Sequence, residues 1–514
     1  MTATIEDAAR HYAARDLSQA ARACLEILQI DPLHFDALHL LGVICTNQGQ
    51  YADGVSYLLR ANAIRPNDAR LQSNLGSAYG AVQRFDKAVK SYRLAMTLNH
   101  REPGLLNNLG LALAGMGREA ESIDTFQAAL AADPSSDPAL YNLGRAQAAI
   151  GQFAAAEAGM RRLLDRLPAD ASASRMGDIV SELARALIEQ GRALESLEVL
   201  RAAAAARPDI ETIRWHESLV LLLLGHFTEG WAAYESRWLA PNFDKEHEDF
   251  RVLDLHLVAR QRVLVTEEQG RGDVIQFLRY IEPLATRGAR VTLSVYADLL
   301  PLAMELPAVE LVLGPGENEA QYDQRTSIMS LPLAFHTDFG TIPAEVPYLH
   351  VPASRLGRMS HYLGPATRPR IGVVWSGSPA SHKRSSMPVA ALEPILRRPD
   401  IEFHCLQKSV LPSDRAWLDR TRLVTTHEAM IRDFADTGAL IEAMDLVITI
   451  DTAVAHLAGA LAKPVWIMLP FNPDWRWLLG REDSPWYPTA RLFRQTEWRG
   501  WDNVVQRIAR ALHL

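Results

Sequence analysis

Cysteine is scarce: Cys24, Cys45 and Cys405 are all there is in 514 residues. Scattered so widely, they fit neither a zinc site nor a disulfide framework, and they suit a reducing cytoplasm. Long apolar runs are missing as well. The longest aliphatic stretch, Leu219 to Leu224, falls far short of the roughly 20 residues of a membrane helix. The start, MTATIEDAAR, lacks the basic residue and apolar core of a signal peptide. A cytoplasmic protein without a transmembrane segment is expected. Positive charge is not in excess, since 53 Lys and Arg face 61 Asp and Glu, a net −8; that excludes the basic footprint of nucleic-acid binding. No clear Asp-x-Asp element offers to hold a metal-bound diphosphate. The rest is ordinary globular composition, 48% apolar and 22% charged, enough for about three domains at roughly 150 residues each.

The first half repeats itself. Gly42, Gly76, Gly110 and Gly144 stand 34 residues apart, each preceded by a leucine. Pro32, Pro66, Pro134 and Pro168 keep the same period, with His100 where a proline is missing. Gly49, Gly117, Gly151 and Gly191 form a third series. The pattern resembles the tetratricopeptide repeat, two antiparallel helices per unit. Small residues at Gly76, Ala88 and Ala95 let the helices approach, Tyr79 and Tyr92 fill the space left, and proline ends the second helix. One pair cannot bury its apolar face alone, so the units stack into a superhelix. Repeats are expected at 1–34, 35–68, 69–102, 103–136, 137–170 and 177–210, with a short insert, ASASRM, after the fifth. A degenerate seventh, 211–240, is rich in aromatics and suited to cap the array and dock it onto the second half of the chain. Asn74, Asn108 and Asn142 recur at one repeat position. Their amides suit either bonds between repeats or an acceptor-binding ladder along the backbone of an extended chain.

After Pro241 the pattern alternates between strand and helix, which indicates parallel sheet. Strands are expected at 262–266, 290–295 and 309–313. An irregular, proline-rich linker comes next, over 320–365. A second series has strands at 370–375, 402–406, 423–425, 446–450 and 465–469, and ends in a helix over 503–512. Two Rossmann-like halves in tandem, 241–365 and 366–514, describe the GT-B glycosyltransferase architecture. The expected fold is thus an α-solenoid over 1–240 followed by an α/β GT-B pair.

Ligands of open parallel sheets bind at the carboxyl ends of strands. Three such ends carry unusual residues: Gly270-Arg271-Gly272-Asp273; Ser376-Gly377 with Lys383-Arg384; and Asp451-Thr452-Ala453 with His456. At the third, Thr452 and Ala453 open a helix whose N–H groups attract phosphate, and His456 projects from its first turn. The plainer alternatives are that Asp451 and Asp273 are helix caps and His456 a core residue. Gln407 comes just after a strand and is a candidate for contacting base or ribose. Trp475, Arg476 and Trp477 either wall a donor pocket or simply pack.

The stretch DFADTGALIEAMDLVITIDTAVAHLAGALAKPVWIMLP strongly resembles the C-terminal half of heptosyltransferase-like glycosyltransferases, and the likeness extends over about 260–514. Joined to the repeats, it resembles repeat-bearing bacterial glycosyltransferases, some of which are thought to modify flagellin. The resemblance implies Asp273 as general base. It implies donor binding by Ser376, Gly377, Lys383, Arg384, Asp451, Thr452, Ala453 and His456. The implied reaction is an inverting, metal-independent transfer from a nucleotide-sugar, a substrate rather than a cofactor, to a protein or glycan recruited by the repeats. The first half is short for that family and its acceptor loops are not recognisable, so the lipid acceptor does not carry over. The competing expectation is a non-catalytic scaffold with a degenerate transferase half.

Overall fold

The computed structural model describes residues 3–98, 103–168, 170–239, 250–317, 321–377 and 386–512; His100, Pro241, Lys383 and Arg384 lie outside them. The chain forms two compact units, Met1–Gln190 and Gly191–Leu514.

The first unit is helical throughout its described residues. Helices alternate along the chain in pairs such as Ala69–Ala81 and Phe85–Thr97. Each packs on its sequence neighbours, and the first helices of successive pairs also touch, as a stacked solenoid requires. The glycine series is what permits the pairing. A Cβ built on Gly76 would lie 2.6 Å from the Tyr92 ring. Sixteen residues separate the partners in every pair, for Leu58, Phe126 and Met160 crowd Gly42, Gly110 and Gly144 in the same way. Ala88 and Ala95 are fully buried, with Tyr79 and Tyr92 nearly so. The glycine of the third series occupies the turn between paired helices in a left-handed conformation, φ +79° at Gly49 and +71° at Gly117. Arg15 and Gln83 take the same conformation at the same repeat position. The expected insert is built into a helix. Ser172 caps the helix Ala173–Ile188, accepting from the Arg175 N–H at 3.3 Å, so most of ASASRM forms the first turn of a longer helix.

The second unit opens with helices Ala193–Ala206, Glu211–Leu223 and Phe227–Tyr234. Two sheets come after them, all of whose strands pair in parallel. The first sheet contains β1 (Arg262–Thr266), β2 (Arg290–Ser294), β3 (Val309–Leu313) and β4 (Gln324–Ser327), in the order β3-β2-β1-β4. The second contains β5 (Arg370–Val374), β6 (Glu402–Cys405), β7 (Thr425–Thr426), β8 (Leu446–Ile450), β9 (Val465–Leu469) and β10 (Ala490–Arg494). Its order, β10-β9-β8-β5-β6-β7, puts the first strand between the second and the fourth, as in doubly wound nucleotide-binding sheets. The switch point lies between β5 and β8.

Two strands escape the sequence pattern. β4 lies inside the segment expected to be an irregular linker. It is four polar residues long, yet Thr326 and Ser327 are buried against β1. The same segment ends in a helix, Ala353–Leu363. β10 completes the far edge. The C-terminal helix runs Trp501–Ala511.

Aromatic side chains hold the last helical segment to the α/β part. Trp231, from Phe227–Tyr234, sits edge-on to Phe277 and Trp475 with centroids 6.0 and 5.2 Å away. Trp231, Phe277, Trp475 and Trp486 are all buried. At roughly 25 cal/mol per Å² of apolar surface, such a cluster dominates the local energetics.

Candidate functional site

The carboxyl end of β1 leads through Glu268 and Gly270 into the helix Arg271–Phe277. The carboxyl end of β8 leads through Asp451 and Thr452 into the helix Ala453–Ala460. These two helices pack together, and Gly272 is why their first turns can meet. A Cβ there would stand 2.9 Å from His456 Cδ2 and 3.4 Å from Ala453 Cα. The Gly-Asp element and the Asp-Thr-Ala element, 178 residues apart in sequence, therefore face each other.

Asp273 accepts the Gly270 N–H at 2.7 Å, which is helix capping. It also forms an ion pair with Arg476. Arg476 is buried, donates from Nη1 to Asp474 Oδ1 at 2.7 Å, and lies 4.1 Å over the Trp475 ring. Burial raises the Asp273 pKa above the usual carboxylate range, Arg476 and the Gly270 N–H draw it back, and Asp474 and Glu268 push it up again. Asp451 is shifted further. Burial, with the charge of Asp474, lifts it to about 7, against the pull of Trp477 and Arg476. His456 Nε2 stands 4.0 Å from Asp451 Oδ1. Its Nδ1 is hydrogen-bonded to the Tyr487 hydroxyl at 2.9 Å, and its ring stacks on Trp477 at 5.3 Å. Burial and the charges of Arg476 and Arg279 hold His456 neutral. Close packing at Gly459, against the Tyr487 ring, sets that tyrosine in place.

Thr452 is the N-cap of its helix without a side-chain capping bond; its hydroxyl lies 3.3 Å from that of Thr449. Ala453 is the first helical residue. Ser376 and Gly377 lie just past β5, at the same sheet end as Asp451, because Val374 pairs with Thr449. Gln407 braces this turn. Its Oε1 accepts from the N–H groups of Trp375 and Ser376 at 2.8 and 3.1 Å, and its Nε2 donates to Ser376 Oγ at 2.9 Å. With its amide so engaged, Gln407 shapes the Ser376 turn.

Asn74 and Asn142 are bonded to residues of the preceding repeat. Asn74 Nδ2 is 2.8 Å from His39 Nε2. Asn142 donates to Asn107 Oδ1 at 2.9 Å, and Asn107 donates to Asn108 Oδ1 at 3.4 Å. All three ladder residues are half-buried.

Sequence reasoning did not single out Arg476 as the partner of Asp273, nor Asp474 or Tyr487. Arg476 lay in a recognisable signal, an arginine between two tryptophans, but only folding shows that it closes on a residue 203 positions earlier. A second buried network stayed hidden. Arg237 donates to Glu268 Oε1 and Oε2 at 2.7 and 2.9 Å and to Ser330 Oγ at 2.8 Å. It ties the end of the last helical segment to the loop that leads to Asp273.

Tetratricopeptide-repeat family models match residues 7–69, 73–137 and 113–176. The helical pairs of this region are tetratricopeptide repeats. Protein FlbA of Caulobacter vibrioides is 28% identical over 353 residues, or 62% of this chain. The chain spans 58% of that relative's length. Among solved structures, a tetratricopeptide repeat protein from Parabacteroides merdae matches 47% of this chain and 93% of its own, at 16% identity and a TM-score of 0.39. MamA from Desulfovibrio magneticus matches 31% and 89%, at 18% identity and a TM-score of 0.29. Among the described residues no helix is long and apolar enough to cross a membrane.

Proposed function

We propose that the second unit is a nucleotide-sugar-dependent glycosyltransferase with a GT-B arrangement, and that the tetratricopeptide repeats recruit its protein acceptor. The observation that carries this reading is the meeting of two helix tips from two parallel sheets, which gathers Asp273, Arg476, Asp451 and His456 in one place. In the proposed inverting step, the acceptor hydroxyl attacks the anomeric carbon as the bond to the nucleoside diphosphate breaks, and the hydroxyl proton passes to Asp273. Arg476 offsets part of the burial that raises the Asp273 pKa, which favours the ionised form a general base requires. The N-terminus of Ala453–Ala460 and the Ser376 turn face the leaving diphosphate, whose charge helix N–H groups favour; Lys383 and Arg384 are proposed to add positive charge. The metal independence expected from the sequence belongs to the same proposal.

The test is a screen for donor hydrolysis and transfer with UDP-, GDP-, ADP- and CMP-sugars, with flagellin as the first acceptor. Asp273→Asn is expected to lower turnover roughly 10²- to 10⁴-fold while leaving donor affinity nearly unchanged. Turnover near wild type would reduce Asp273 to a helix cap. A second reading, a non-catalytic scaffold, draws on the Asp273–Arg476 ion pair, which occupies the base. It predicts no sugar transfer or donor hydrolysis with any of these nucleotide-sugars.

A further inference from the structure

The second sheet has a cavity of about 740 Å³ at its other edge, beside the first residues of β5, β6 and β7. That volume falls in the range of small-molecule sites. Arg368, Arg370, Arg397, Arg398 and Arg422 line it, against a single lining carboxylate, Glu402. Arg368 and Arg370 share that carboxylate at 3.3 and 3.4 Å. Arg397 and Arg398 pair with Glu393 and Asp400. The Arg422 side chain has no hydrogen-bond or ion-pair partner among the described residues. Five cations thus meet three carboxylates, which leaves a surplus that suits a phosphate.

The cavity wall carries an unmet ring nitrogen as well. His404 and His427 are buried, with rings stacked at 5.2 Å and Nδ1 of the first 3.0 Å from Nε2 of the second. The Tyr362 hydroxyl lies 3.3 Å from His427 Nδ1. Two arrangements satisfy this chain: Tyr362 O–H donates to His427 Nδ1 and His427 Nε2–H to His404 Nδ1, or His404 Nδ1–H donates to His427 Nε2 and His427 Nδ1–H to the Tyr362 oxygen. In the first arrangement His404 Nε2 carries a hydrogen. It has no hydrogen-bond partner, and Glu402 Oε2, at 3.9 Å, is out of reach. As a donor, this nitrogen would be met by an anionic oxygen in the cavity.

We propose that this cavity binds a small phosphate-bearing anion, at a site separate from the Asp273–Asp451 cleft. β5 to β8 are four or five residues long apart from the short β7, so about 15 Å of strand separates the two edges. The proposal does not depend on the glycosyltransferase reading.

Hydrogen exchange of the full chain, titrated with inorganic pyrophosphate and separately with ADP, tests it. Protection at 396–404 and 422–427 is expected. A response to both probes identifies the diphosphate as the recognised group, and a response to ADP alone identifies a nucleotide. Arg422 has φ +53°, a conformation glycine adopts without strain, so Arg422→Gly removes the charge without threatening the fold. It should weaken the protection-derived affinity about tenfold or more, the worth of a charged hydrogen bond. Protection confined to 270–273 and 451–456, or equal affinity in wild type and Arg422→Gly, overturns the proposal.

Discussion

Asp451 shows what burial does to one side chain. Its carboxyl titrates near 7 because it is buried close to Asp474, with only Trp477 and Arg476 to offset this. In the unfolded chain it would titrate near the ordinary 3.8. The native state therefore holds this proton more tightly than the unfolded one. Its contribution to stability is complete below about pH 4 and is lost as pH rises through 7, on the order of 4 kcal/mol. Asn mimics the protonated form and cannot ionise. Asp451→Asn should match wild type near pH 4 and below and exceed it in thermal midpoint at pH 8. Parallel midpoint curves for the two proteins would place the Asp451 proton elsewhere.

Among the elements, the helical pairs depend on a glycine and a large side chain sharing one space. The Gly76–Tyr92 contact leaves no room for a methyl group. Gly76→Ala should cost about 1–3 kcal/mol as overpacking, measured by urea unfolding. In a Tyr92→Ala background the same change fills emptied space and gains helix propensity, so it should be neutral or stabilising by up to about 1 kcal/mol. Additive effects would mean that the helices can part without cost. This element was legible in sequence, because a 34-residue period displays the same contact several times. The ASASRM segment was not. It lacks the repeat period, but Ser172 is a good cap and the residues after it form helix readily. β4 escaped for the opposite reason. Its four polar residues form a strand only because β1 offers an edge to pair with.

At the scale of the whole molecule, every described residue of the proposed cleft lies in the unit Gly191–Leu514. A protein of residues 191–514 should therefore bind the preferred nucleoside diphosphate within about tenfold of the full chain, a difference under about 1.4 kcal/mol. It should lose transfer to the protein acceptor. Calorimetric titration beside a transfer assay measures both. Full transfer by the shortened protein would leave the repeats with assembly or placement as their task. Asn74 and Asn142 sharpen the question, since their amides are already bonded to His39 and Asn107 of the preceding repeat. Replacing them would loosen the solenoid as well as any groove contact.

Local order alone settled the repeat length, the glycine and alanine contacts of each helical pair, and most of the parallel strands. Each depends on residues near one another in sequence, so periodicity carries the information. The strand ends bearing Asp273, Ser376 and Asp451 could be read for the same reason, as short motifs after apolar runs. Tertiary structure decided which of these ends meet. Gly272 against His456, Arg476 on Asp273, and Arg237 on Glu268 join segments that no local pattern relates. The shifted proton affinities of Asp273 and Asp451 result from the same assembly, because desolvation and neighbouring charge exist only once distant segments have closed around them.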